Sequence, residues 1–174
     1  MAVAIDFSKA SAAIILDLIN GSQTPPATLT AADITLGVPS ANATDPETTG
    51  DTAVVVTGVL AEGYKGSVTV TYNRVPITAV VGANSDEFEV GSATNVSDLL
   101  AQINARFGIN LTAAEITDAA LPDVTGGAAS FDLVIAASCL VYSGTLSLTL
   151  VPNATELNTV ITTPALDGLD YPAA

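Results

Sequence analysis

The 174-residue chain has no histidine, one cysteine and four basic residues, and each shortage removes a class of chemistry. Without histidine, the commonest general base, triad member and metal ligand is missing. The single thiol, Cys139, rules out an intrachain disulfide; set in the apolar stretch 135–141, it reads as a small buried hydrophobe and not as a nucleophile. Lys9, Lys65, Arg74 and Arg106 stand against 18 acids, a net charge of −14. Such a field repels phosphate backbones and anionic bilayers, so neither nucleic acid nor membrane is an expected partner. No apolar run approaches the roughly 20 residues that cross a bilayer, because Asp6, Lys9 and Asp17 interrupt the greasiest stretch. A secretory signal is not expected, since no basic region and clean apolar core precede a small-residue cleavage pattern. Glycine-rich phosphate loops of the Walker or dinucleotide type are also missing.

What the chain does have is apolar mass and repetition. Apolar residues make up 49% of it, enough to bury a core as one compact domain or two small packed ones. LTAADIT at residues 29–35 returns as LTAAEIT at 111–117, an offset of 82. The flanks match in the same order: 11–20 with 95–104, Ile5-Asp6-Phe7 with Phe88-Glu89-Val90, and 64–71 with 142–149. Offsets drift only as loop lengths change, which a duplicated unit tolerates. The expected organisation is therefore a first module at 1–82, a second at 83–165, and a C-terminal strand within 166–174. That strand repeats the apolar–acid–apolar start of a module at Leu169-Asp170-Tyr171.

Each module reads as β, α, short α, then two or three antiparallel strands, an α+β tandem with one main helix per copy. Val96, Leu99, Leu100, Ile103 and Phe107 form one helical stripe, with Asn95 as cap, Asp98 in the first turn and Gly108 as stop. The matching helix, 12–19 ending at Asn20-Gly21, is apolar around more of its girth and predicts burial on two sides. In the heptapeptides, Thr30 with Asp33 and Thr112 with Glu115 have capping-box spacing; Leu29 with Ile34 and Leu111 with Ile116 fit a hydrophobic staple. A short, well-capped helical turn, pinned to the core by the two aliphatic residues, is expected at both. Strands are expected at 53–60 and 67–72 around a turn at 61–66, at 131–137 and 145–150, and further at 76–81 and 158–163. Residues 41–51 form a long polar loop.

Few groups are candidates for chemistry. Asp86, Glu87 and Glu89 cluster, as do Asp167 and Asp170; a glycosidase would need two such acids about 5 to 9.5 Å apart in a cleft. Chance clustering at this acid density is the simpler reading. Residues 45–51 offer oxygen ligands near Gly50 but lack the spacing of a calcium loop. Asn-x-Ser/Thr sites at Asn42, Asn95, Asn110 and Asn153 have little meaning without a secretory route, and Asn95 serves better as a cap. No catalytic, cofactor-binding or metal residue is expected, and no cofactor.

Residues 95–118, with Leu121-Pro122, Leu140-Val-Tyr-Ser-Gly144 and the stretch Leu166-Asp-Gly-Leu-Asp-Tyr-Pro172, resemble a module of virion structural proteins in large tailed bacteriophages. The resemblance covers about half the chain directly and the first half through the duplication. It implies a non-enzymatic, homo-oligomeric part of the particle that also contacts other virion proteins and assembles in the host cytoplasm. A capsid decoration or collar surface role is expected; a tail-tube or tail-fibre component is the alternative, and a secreted adhesin or surface-layer module a further one. Candidate interface residues are Asp45, Glu47 and Asp51 of the polar loop and Leu166, Leu169 and Tyr171 of the last strand. That strand closes a sheet within its chain or in a neighbouring subunit.

Overall fold

The chain folds as α+β, with mostly antiparallel sheets and few helices; the computed structural model describes residues 5–24, 27–44, 46–82, 86–154 and 160–162. Helix α1 (Ser11–Ser22) is followed by strands β1 (Ile34–Leu36) and β2 (Ser40–Ala41), a short helix α2 (Pro46–Thr49), then β3 (Thr52–Gly58) and β4 (Ser67–Tyr72). A second run contains β5 (Val75–Pro76), α3 (Ile77–Val81), β6 (Glu87–Glu89), α4 (Leu100–Phe107), β7 (Ala129–Val134), β8 (Tyr142–Ser143) and β9 (Thr145–Val151).

Three sheets result. In the first, β3 is central: β4 runs antiparallel along one edge, while β1 and β2 share the other. In the third, β9 is central, with β7 antiparallel on one side and β6 parallel on the other. The small middle sheet joins the two regions by pairing β5 with β8 in parallel. Strand β1 begins within the heptapeptide where a capped helical turn was expected, and β2 lies where no strand was expected, because three-residue and two-residue strands carry too little alternation to read.

One core runs through both repeated segments. Ile14, Ile15 and Ile77 from the first are buried with Leu99, Ile103, Leu133, Leu148 and Leu150 from the second. A smaller cluster, Ile34, Val54 and Val56, sits under the first sheet. Helix α1 lies between them: Ile14 and Ile15 enter the large core, while Leu16 and Ile19 pack against the small one. This is the two-sided burial expected from its apolar girth. The helix passes through Gly21 to Ser22 instead of stopping at Asn20, a glycine costing only about 1 kcal/mol inside a helix.

The second helix keeps its expected stripe and stop. Val96, Leu99, Leu100 and Ile103 are buried, and Gly108 takes a left-handed φ of 64°. Its first turn, Val96–Leu99, is a 3-10 turn closed by the Asn95–Asp98 capping box. The capped turn expected in the repeated heptapeptides is present, with a complete capping box and 3-10 geometry in the second copy and turn geometry in the first. Each is a single tight turn leading into extended backbone: in the first copy Ile34 opens β1, and in the second a 3-10 turn, Ala113–Glu115, leads to Ile116 bridged to Ile135. Thr30 and Thr112 donate through backbone N–H and hydroxyl to Asp33 and Glu115, at 2.6 and 2.8 Å and at 2.9 and 2.9 Å. The Thr–acid pairs exist as read, and the flanking aliphatic residues reach the core: Leu111 and Ile116 are buried together, and Leu29 packs against the cluster that holds Ile34.

Two further expectations fail. Residues 77–81, although β-branched, form α3, because Ile77 must be fully buried where α3 packs on β9 and Gly82 (φ 73°) closes the turn onto Thr78. Tertiary packing overrides the local β preference. Residues 5–7 are not a strand: the Phe7 ring packs 6.0 Å from that of Tyr142, whose hydroxyl donates to the Phe7 carbonyl at 3.3 Å. Half of the strand expected at 158–163 lies outside the described residues, and the described half, 160–162, is not a strand; all of that expected at 166–171 lies outside them.

The matched segments share one contact that no spacing rule announces. Asn20 holds Leu29 through both its amide groups, at 2.8 and 3.0 Å, and Asn104 holds Leu111 in the same way, at 2.8 and 2.9 Å. A carboxamide offers one acceptor and one donor side by side, which is what a peptide N–H and C=O of one residue require. Removing it leaves two half-buried backbone groups unpaired. Asn104→Ala is expected to cost about 2 kcal/mol and lower Tm by about 4–8 °C, with Asn20→Ala similar, measured by calorimetry; Tm values within 1 °C of wild type would count against the clip.

Candidate functional site

The sequence-derived candidates for an interface separate on the structure. Glu47 lies exposed on α2, whereas Asp51 is committed to the loop: its carboxylate accepts from the Thr52 hydroxyl at 2.7 Å and the Arg74 backbone N–H at 3.4 Å. Asn42 closes the same loop by donating to the Thr49 hydroxyl and the Gly50 carbonyl, at 2.9 and 2.7 Å. Asp51, which is also exposed, thus braces the loop, since a short carboxylate between two strand ends satisfies donors the ladder leaves over. Asp45, Leu166, Leu169 and Tyr171 lie outside the described residues. Gly50 cannot carry a side chain, because at its φ of 102° a Cβ would stand 2.4 Å from the Tyr72 carbonyl carbon.

Asp86, Asp98 and Asp118 are also occupied structurally. Asp86 pairs with Arg106 at 2.6 Å and does not join Glu87 and Glu89 in a cleft; the guanidinium holds its carboxyl below the usual range. Asp98 accepts from the backbone N–H of Asn95 and Thr94, at 3.0 and 2.9 Å, and those bonds hold its carboxyl below the ordinary 3.8. Asp118, which the sequence did not mark, reaches 21 residues back to the Ser97 backbone and hydroxyl at 3.0 and 2.9 Å. Nothing in local spacing could have found that bond. Among the described residues no three His, Cys, Asp or Glu side chains converge, and no helix is long and apolar enough to cross a membrane.

Around the junction of the two segments, polar groups fasten the loop 137–142. The Tyr72 hydroxyl donates to the Leu140 carbonyl at 2.7 Å, and Arg74 reaches the Ala137 and Cys139 carbonyls at 3.3 and 3.4 Å. Burial pushes both Tyr72 and Tyr142 up to about 12, so each phenol keeps its proton. Cys139 is fully buried, its thiol pushed up first by desolvation, and its sulfur accepts from the Tyr142 N–H at 3.3 Å. It is the inert hydrophobe expected.

The surface that stands apart is the outer face of the first sheet. Opposed residues in an antiparallel pair share a face, so the register places Ala53, Val55 and Thr57 of β3 beside Thr71, Thr69 and Ser67 of β4 on one side. Thr35 and Ser40 extend the same face across β1 and β2. It carries no charged side chain, in a chain with 18 acids. The corresponding face of the third sheet carries Asp132 and Glu87 among Ser130, Ser147 and Thr149. Val55 is 46% exposed, and Val38 and Leu60, in the connections beside the first sheet, are more exposed still.

The chain belongs to the family of unknown function DUF7941, which matches residues 5–174. No curated protein and no solved structure matches the DUF7941 chain.

Two expectations test the site. Because Asp98 is depressed in the folded chain, its cap contribution is complete above the ordinary 3.8 and is lost as pH falls below it. Acid unfolding of Asp98→Asn followed by circular dichroism is expected to lack part of the wild-type loss of stability in that window. Cys139 is expected to stay unmodified by a maleimide in native buffer and to react once in denaturant; labelling of the native protein would contradict its burial.

Proposed function

We propose that this chain is a non-enzymatic structural component of a tailed-phage virion, assembled in the host cytoplasm as a homo-oligomer in contact with other virion proteins. A capsid decoration or collar surface role is preferred over a tail-tube or fibre role. The observation that carries the assembly reading is the uncharged outer face of the first sheet. A solvated β-face in so acidic a chain is expected to hold acids, as the third sheet does with Asp132 and Glu87. Threonine, serine and valine on a pleated surface can be desolvated by a partner without stranding a charge, and central interface positions are depleted of charge for that reason. The remaining −14 charge then keeps the rest of the molecule soluble and discourages contact elsewhere.

The virion reading itself rests on the resemblance of residues 95–118 and 140–144 and on the use of polar side chains for turns, caps and loop closure. Mass spectrometry of purified particles from the phage that encodes the chain is expected to find it at many copies; its absence from particles made during productive infection would defeat the reading. For the face, the double variant Val55→Asp with Thr69→Asp is expected to weaken self-association or particle binding by tenfold or more. The control Asp132→Asn, on the other sheet, is expected to leave both unchanged. Light scattering coupled to size exclusion reads the outcome, and a charged first face that still assembles would assign docking to another surface.

A further inference from the structure

The two sheets differ at one edge. On the third sheet, β6 lies parallel to β9, with Phe88 opposite Leu150. Three contacts tie β6 and its flank to the helix above: the Phe88 ring stands 5.7 Å from that of Phe107, Gln102 donates to the Glu89 carbonyl at 3.2 Å, and Arg106 pairs with Asp86 at 2.6 Å. Aligned through the shared helix and Asn clip, the helix residues Gln102, Arg106 and Phe107 correspond to Leu18, Ser22 and Gln23 of α1. Those three residues, with Ile15, Ile19 and the β4 residues Val70 to Tyr72, line an open groove of about 300 Å³. Among the described residues no strand pairs with the outer edge of β4. Val68 on β4 is 59% exposed, whereas its counterpart on β9, Leu146, is 2% exposed.

The first segment's own starter run does not fill this seat. Ile5-Asp6-Phe7 is described, makes no ladder with β4, and is held by the Phe7–Tyr142 contact. A better match to β6 stands later in the chain. Asp167-Gly-Leu-Asp-Tyr171 repeats Asp86-Glu-Phe-Glu-Val90 in its acids and apolar positions. Leu169 takes the place of Phe88, and Asp170 that of Glu89.

We propose that residues 167–171 add to the open edge of β4 of their own chain as a parallel strand, placing Leu169 in the groove between α1 and β4 that corresponds to the seat of Phe88. An unpaired edge beside an apolar groove offers backbone bonds and a side-chain pocket together, the two elements of strand addition. The groove's helix wall supports a leucine here: Leu18 stands where the second helix has Gln102, beside Ile15 and Ile19, so an aliphatic side chain meets an aliphatic wall, while Gln23 in place of Phe107 removes the ring that a phenylalanine would pack on. Residues 155–166 link the last described part of the main body to the strand, and 12 residues span up to about 40 Å extended. A tether of that kind gives an effective concentration on the order of millimolar, which favours the chain's own groove over a neighbour's.

The test uses the full-length chain with Gln23→Cys and Leu169→Cys, treated with a short bismaleimide, against each single-cysteine control; Cys139 is buried. Intrachain cross-linking at dilute protein is expected. Hydrogen exchange supplies a readout independent of the new cysteines: removing residues 166–174 is expected to speed amide exchange of 67–72 by about tenfold or more and leave 145–151 unchanged. Cross-links only between chains would assign the strand to a neighbouring copy and overturn the proposal. Unchanged exchange at 67–72 would overturn it too, as would loss of protection there on removal of residues 1–4 instead. Neither readout depends on finding the protein in particles.

Discussion

The constraint on which the rest depends is the return of the chain from helix to sheet. Each of the two repeated segments must leave a helix, turn sharply and enter extended backbone close beside that helix. The turn buries peptide groups that neither helix nor ladder satisfies. Asn20 and Asn104 meet this demand by holding Leu29 and Leu111 through paired amide bonds, and the Thr–acid pair immediately afterwards satisfies the next amide. The distance from helix to sheet is fixed by that clip, and so is the side of the sheet that the helix covers. Leu111 and Ile116 can then be buried together with Ile103, because the clip has placed all three on one side.

This explains why the heptapeptide is duplicated as a unit. Leu, Thr, the acid and Ile each have one task in the turn, and altering the spacing would separate the hydroxyl and amide from the carboxylate that receives both. Sequence reasoning recovered the Thr–acid pairing, the two aliphatic anchors and the short capped turn, but not the strand that Ile34 opens directly after it, since a three-residue strand leaves no readable alternation. The Asn clip was hidden because its partner lies seven residues away in one copy and nine in the other. The bond depends on a loop length and not on a period.

Elsewhere, what could be read followed the size of the signal. The stripe from Val96 to Ile103 and the alternation in Ser67–Tyr72 are long enough for one period to dominate, and both elements stand where expected. Strand β1, with three residues, and strand β2, with two, are specified by what they lie against. Residues 77–81 show the converse, a β-branched run made helical by the need to bury Ile77. The outer face of the first sheet was readable in principle, because Ala53, Val55 and Thr57 alternate with the buried Thr52, Val54 and Val56. Its importance emerges only when the register sets those residues beside Ser67, Thr69 and Thr71 and exposes the lack of charge.

The two halves share the Asn clip and the Thr–acid turn and differ in what their surfaces leave unfinished. In the second, β6 covers the edge of β9, acids solvate the outer face, and Leu146 is sealed. In the first, among the described residues, the β4 edge carries no partner strand, the outer face is neutral, and Val68 lies exposed. An uncovered edge and an uncharged face each invite association, whereas a covered edge and an acid-bearing face discourage it. The two halves are tied across their junction: Tyr72, which borders the open groove, donates its hydroxyl to the loop 137–142 of the second half, and Arg74 holds the same loop. The open edge and neutral face of the first half are thereby fastened beside the covered sheet of the second.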